Sequence, residues 1–262
     1  PTLRRKARFV AVSTTSGTGT EVTSFAVIAD GKTGIKYPIA DYNLTPDVAI
    51  VDTDLTESLT SELVAHTGMD AMTHAIEAYV STVANEFTDA MAIKTIEMVD
   101  RYLQASYRGD REAGNKMHVA QCLAGMSFSN AILGIVHSMA HKSGRILSVP
   151  HGCANAIYLP HVIRFNAQQA PEKYAEIADR LKLSGNTLKE KAESLAVYIE
   201  ELNRSLDIPV TLSLFGVKEG LFIENWEEMS QAAVEDPCTG TNPREVSTPE
   251  MHSLFQLAYY GK

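Results

Sequence analysis

The chain has 262 residues, 45% of them hydrophobic and 21% charged, with a formal net charge of -9. That composition is one of a folded globular protein with a large core rather than a disordered chain. The scattered Lys and Arg residues argue against a nucleic-acid partner, which needs a basic face. No apolar run reaches the ~18 residues of a membrane span, and the first residues show no signal-peptide pattern. Three cysteines, Cys122, Cys153 and Cys238, lack Cys-x-x-Cys spacing. They point away from a disulfide framework or a thiolate zinc site and toward a reducing cytoplasm. The chain starts with Pro and enters a strand-like segment at once, so a piece of a longer polypeptide is expected.

In chain order, Ala7 to Ser13 reads as a buried strand that runs into Thr14-Thr-Ser-Gly-Thr-Gly-Thr-Glu21. A glycine- and hydroxyl-rich run after a strand is where phosphates and riboses are often held. It is not Gly-x-Gly-x-x-Gly, because Val22 stands in the third glycine's place, and a mobile polar turn is the competing reading. Phe25 to Asp30 and Gly34 to Ala40 flank an Asp30-Gly31 pair, a hairpin signal. Asp47 to Asp52 is one more short strand. The sharpest boundary lies near residues 53 to 60, after which helical patterns dominate.

The first helix surrounds Gly68-Met-Asp-Ala-Met-Thr-His-Ala-Ile-Glu77, with Met69, Met72, Ile76 and Tyr79 on one side. Further helices are expected over 88 to 107 and 114 to 133, around His137 and His141, and from Pro150-His151-Gly152 onward. Others run from Pro171 to Leu181, from Leu188 to Leu206 before Pro209, from Lys218 to Val234, and from Pro249 to Tyr260. The predicted fold class is therefore mainly α.

Asp70 and His74 sit four apart and project from one strip of their helix, as do His137 and His141. Either pair alone fits a polar helix face. Both pairs on apolar helices favour a bound ion, because a buried carboxylate or imidazole without a partner is expensive. With His151 they offer three to five donors: Asp70, His74, His137, His141 and His151. His66, four before Asp70, reads instead as a helix-start residue. Imidazole and carboxylate donors without thiolate suit Fe(II), Zn(II) or Co(II), and not the oxygen-seeking Ca(II) or Mg(II). An open fourth or fifth position would mark a catalytic ion acting as a Lewis acid.

The blocks Thr14 to Thr23, Gly68 to Glu77, His137-Ser-Met-Ala-His141 and Pro150-His-Gly-Cys-Ala-Asn155, in this spacing, resemble the signatures of iron-dependent (group III) alcohol dehydrogenases. Asp236-Pro-Cys-Thr-Gly-Thr-Asn-Pro-Arg244 and Ala258-Tyr-Tyr-Gly261 most resemble the alcohol dehydrogenase module of bifunctional aldehyde-alcohol dehydrogenases. The resemblance covers essentially the whole chain. It implies Fe(II) or Zn(II) held by Asp70, His74, His137 and His151, with His141 lining the site as a catalytic proton-relay residue. It implies NAD contacts from Thr14, Thr15, Thr18, Val27, Lys36 and Leu63, and a substrate pocket lined by Phe25, Phe128 and Cys238.

Members of that family begin with an α/β domain whose Gly-Gly-Gly-Ser-type loop grips the cofactor pyrophosphate, and no such loop occurs in this chain. The expected organisation is thus a short β remnant of an α/β dinucleotide-binding domain over residues 1 to 57, followed by an all-helical metal-binding catalytic domain over 58 to 262. The implied activity interconverts primary alcohols and aldehydes with NAD(H), aldehyde reduction being the fermentative direction. The expected setting is cytoplasmic, as a homo-oligomer or a module of a larger polypeptide. The alternatives are a catalytically inert metal-binding helical module and a relative such as a zinc glycerol dehydrogenase or a dehydroquinate synthase.

Overall fold

The computed structural model describes residues 7–29, 31 and 36–261. Strand β1 (Val10–Val12) pairs in parallel with β4 (Val48–Ile50), and β2 (Phe25–Ala29) pairs antiparallel with β3 (Lys36–Ala40), Phe25 opposite Ala40. The expected hairpin partners are therefore present, although Asp30 of the turn lies outside the described residues. The expected buried strand is corrected by the structure: Val10, Val12, Val48 and Ile50 are all exposed. A parallel pair is usually covered on both faces, and a ladder of only two strands offers no second layer to do so.

Among the described residues ten α-helices follow: α1 (Ser61–Val80), α2 (Glu86–Tyr107), α3 (Arg111–Ala131), α4 (Ile135–Ile146), α5 (His151–Asn166), α6 (Pro171–Arg180), α7 (Leu188–Ser205), α8 (Leu212–Phe215), α9 (Glu219–Val234) and α10 (Thr248–Tyr260). Their starts are chemically marked. Thr60 accepts from Leu63 N, Asp110 from Ala113 N, and full capping boxes open α2, α7 and α10 at Asn85, Thr187 and Ser247. Among these α-helices, the one-turn α8 is the one that the hydrophobic period does not foreshadow.

Helix α1 is central and touches α2, α3, α5 and α6. Every residue from Gly68 to Val80 is buried, which differs from the one-sided burial its pattern suggested. Met69, Met72, Ile76 and Tyr79 join the main core. The opposite strip, Asp70, Thr73, His74 and Glu77, is polar and equally buried. A polar strip survives in such a place only where neighbouring groups satisfy it.

Candidate metal centre

Three helix segments assemble the polar site. Helix α1 presents Asp70 and His74 from its middle, α4 presents His137 in its first turn, and α5 begins at His151. The route from α3 to α4 is a 106° bend. Ile132 makes it with φ 60°, held by its N–H donating to Phe128 O at 2.8 Å. A β-branched residue at positive φ is strained by about 1–3 kcal/mol, and here the turn aims His137 at α1.

The donor atoms converge on Asp70 Oδ1. His137 Nε2 and His151 Nε2 each lie 3.6 Å from it, and His74 Nε2 lies 3.9 Å from it. Asp70, His137 and His151 offer ligand atoms within 4.8 Å of one another. Donors about 2.0–2.2 Å from a tetrahedral ion would stand roughly 3.4 Å apart, so the spacing suits a small divalent cation. The rings of His74 and His137 stack at 4.5 Å between centroids, and Phe128 closes the other face of His74 at 4.3 Å.

The hydrogen bonding also fits a cation. Asn155 Nδ2 is 2.7 Å from Asp70 Oδ1, 3.1 Å from His137 Nε2 and 3.2 Å from His151 Nε2. An amide nitrogen has two hydrogens and cannot serve all three acceptors. Asn155 Oδ1, buried, has no partner among the described residues. A carboxylate oxygen and two imidazole nitrogens crowded about one weak donor are the donor set of a positive ion. Burial pushes the His74 imidazole down to about 3 against the pull of Asp70, which keeps it neutral and able to ligate. Burial would also lower His137, but the Glu77 and Asp70 carboxylates outweigh it and hold that imidazole up to about 9. Asp70 itself, despite burial, is kept below the usual carboxylate range by His74 and His151.

His141 stands beside this group. Its Nδ1 is 3.3 Å from Asp236 Oδ2, its ring lies parallel to that of His151 at 5.7 Å, and it is partly open to solvent. Lys142 Nζ reaches the same Asp236 oxygen at 2.9 Å. Asp236, with His141 and Cys238, forms a second donor group, but the Lys142 ammonium already neutralises its carboxylate. Burial, then the nearby acidic groups, raise the Cys238 thiol well above its usual range, so it remains protonated. Phe25, Phe128 and Cys238 pack into one small apolar cluster with Ala78, Ala131 and Leu133, adjacent to His74.

The Thr14–Glu21 run leads into a short 3-10 helix, Thr20–Val22, and is clamped against α3. Gly19, at φ 59°, lies so close to Gly125 of α3 that a Cβ would come within 2.6 Å of the Gly125 Cα. Gly19 N donates to Gln121 Oε1 at 2.6 Å, and Gln121 Nε2 donates to Glu21 Oε1 at 2.8 Å. Buried His118 is hydrogen-bonded to Ser13 Oγ and Ser16 Oγ at 3.2 and 3.1 Å. An open cleft of about 170 Å³, lined by Thr14, Thr15, Thr18, Thr20 and Glu21 among others, faces outward from this clamped loop. That is below the roughly 300–1,000 Å³ of a whole small-molecule site. Leu63 lies in the first turn of α1, half exposed. The side chains of Val27 and Lys36 lie outside the described residues.

Glu77, Asn155, Asp236, His118 and Gln121 were not assigned roles from sequence. Glu77 and Asn155 could have been noticed: Glu77 is three residues past His74 on the same helical strip, and Asn155 is four past His151. The other three pair across about 100 positions of sequence, where no local period operates.

Comparison with known proteins adds to this geometry. The family model for the C-terminal part of Fe-containing alcohol dehydrogenases matches residues 64–259, and that for iron-containing alcohol dehydrogenase matches residues 1–53. The chain is 55% identical over 261 residues to an NADPH-dependent butanol dehydrogenase of Clostridium saccharobutylicum, covering 100% of this chain and 67% of that protein. It is 44% identical over 282 residues to the bifunctional aldehyde-alcohol dehydrogenase of Escherichia coli, covering 100% of this chain and 32% of that one. The structure of the iron-containing alcohol dehydrogenase from Thermococcus thioreducens matches with a TM-score of 0.91 at 38% identity, over 100% of this chain and 67% of that chain. The chain thus spans about two thirds of the first relative and about a third of the second.

Proposed function

Since the chain belongs to the iron-containing alcohol dehydrogenase family, we propose that it is the metal-bearing part of an enzyme that interconverts primary alcohols and aldehydes. Asp70, His74, His137 and His151 hold the ion, Fe(II) or Zn(II). The observation that carries this is the convergence of three imidazole nitrogens on one buried carboxylate oxygen, at 3.6 to 3.9 Å.

The balanced reaction is alcohol plus NAD(P)⁺ to aldehyde plus NAD(P)H plus one proton. When bound, the ion supplies Lewis acidity toward the substrate oxygen, and the nicotinamide accepts or donates the hydride. The chain's own residues do the rest. Phe25, Phe128 and Cys238 provide the apolar wall for the carbon chain of the substrate, and Phe128 also shields His74 from water. Partly exposed His141, backed by Asp236, moves the hydroxyl proton between the site and solvent. Thr14, Thr15 and Thr18 line the cleft that takes part of the cofactor, and Val27, Lys36 and Leu63 are assigned as further cofactor contacts on the family resemblance alone. Residues 1–57 act as the end of a dinucleotide-binding domain and 58–262 as the catalytic helical domain, a division that the separate family matches support. The three cysteines, none in a disulfide, fit a cytoplasmic setting.

The test is metal analysis of protein purified without added ions, joined to nicotinamide absorbance with a primary alcohol and NAD or NADP. About one transition-metal ion per chain and alcohol-dependent reduction of the cofactor are expected. One bound ion without turnover would support the reading as an inert metal-binding module. No bound ion would overturn the assignment.

A further inference from the structure

We propose that Glu77 is a positioning residue of the metal centre, one carboxylate that both orients His137 and caps the helix carrying it. The inference rests on the metal-binding reading above. Glu77 is 3% exposed, and each of its two oxygens has a hydrogen-bond partner. Oε2 lies 2.6 Å from His137 Nδ1, and Oε1 accepts from Val136 N at 2.7 Å. An ionised carboxylate only accepts hydrogen bonds, so Nδ1 carries a hydrogen. With Nδ1 so held, Nε2, the nitrogen 3.6 Å from Asp70 Oδ1, is the one that yields its proton to an incoming cation.

The same residue solves a backbone problem. Helix α4 begins at Gly134, which has no side chain to cap its first turn. Glu77 and, more weakly, Asn242 Oδ1 at 3.4 Å from Ile135 N take over that task from distant elements. A negative charge there also opposes the positive end of the helix dipole. Gly134 permits the approach: a Cβ on it would come within 2.9 Å of both Glu77 Oε1 and Asn242 Oδ1. One side chain of α1 therefore sets the register of α4 and the ring orientation of its ligand together, three positions after His74 on the same helix.

The discriminating substitution is Glu77→Gln, which keeps the volume. Its single oxygen can accept from Val136 N or from His137 Nδ1, and its NH₂ then faces the other N–H, so cap and ligand orientation cannot both be kept. Zinc affinity of the chain would be measured by competition with a chromophoric chelator, with circular dichroism and melting of the metal-free protein alongside. We expect Glu77→Gln to weaken zinc binding about 10- to 100-fold with the helix content retained. Zinc binding within twofold of the parent chain would overturn the inference while leaving the metal reading intact. Absence of stoichiometric zinc binding in the parent chain would remove the metal reading itself. Should Glu77→Gln not fold, ¹⁵N-edited NMR of the zinc-loaded parent decides: a slowly exchanging, strongly deshielded Nδ1 proton on His137 is expected, and zinc on Nδ1 overturns the inference.

Discussion

Loss of a proposed metal donor and loss of its neighbour His141 should read differently. Asp70 is the oxygen on which the imidazoles converge and is fully enclosed. Asp70→Ala leaves three imidazoles without their anion and should abolish stoichiometric metal binding, read by metal analysis of the purified variant. His141 is outside that group and paired to Asp236. His141→Ala should keep a full complement of metal while slowing turnover by roughly 10²-fold. Metal loss in His141→Ala would show that it had been exchanged with a ligand. With no thiolate among the donors and three imidazoles, added Ca²⁺ or Mg²⁺ should not displace the bound ion.

Among the elements, α3 and α5 carry the most specific demands. The contact between Gly19 and Gly125 brings the hydroxyl-rich loop against α3 with no space for a side chain: a Cβ on Gly125 would meet Val22 at 2.8 Å and Gly19 at 2.9 Å. Gly125→Ala should therefore destabilise the fold by about 1–3 kcal/mol, the range of overpacking, measured as a lowered urea midpoint. On α5, burial and then the Arg164 guanidinium push the His161 imidazole down to about 4, against Glu200. A histidine whose folded value lies below its unfolded one resists the proton when folded. Its share of stability is complete above about pH 6.5 and is lost as pH falls from there toward 4. His161→Gln should remove roughly 2 kcal/mol of that acid loss, seen by comparing urea unfolding of parent and variant at the two ends of the window.

At the scale of the whole molecule, the ion would join α1 to the consecutive helices α4 and α5, which follow it only after α2 and α3. A ligand that binds only the folded state adds about 2.7 kcal/mol at a hundredfold excess over its dissociation constant. For a chain of this size that is roughly 5–10 °C in melting temperature. Zinc added to the chelator-treated protein should raise the melting temperature by this amount, and should not do so in Asp70→Ala. Calorimetry with and without the ion checks both arms.

Periodicity, caps and punctuation determined the helices. Their apolar spacing and the Thr60, Asn85, Thr187 and Ser247 starts are local features, and local features are carried by neighbouring residues. The four-residue spacings of Asp70 with His74 and of His137 with His141 likewise raised the possibility of an ion. Local patterning could not divide the five candidate donors. In the tertiary structure His151 turns toward Asp70 while His141 turns toward Asp236, because α4 and α5 meet α1 at angles set by the Ile132 bend and by packing. The same held for strand exposure and for the roles of Glu77, Asn155 and His118. A side chain's partner across a hundred residues is decided by how helices pack, and packing depends on the whole core rather than on any one stretch of it.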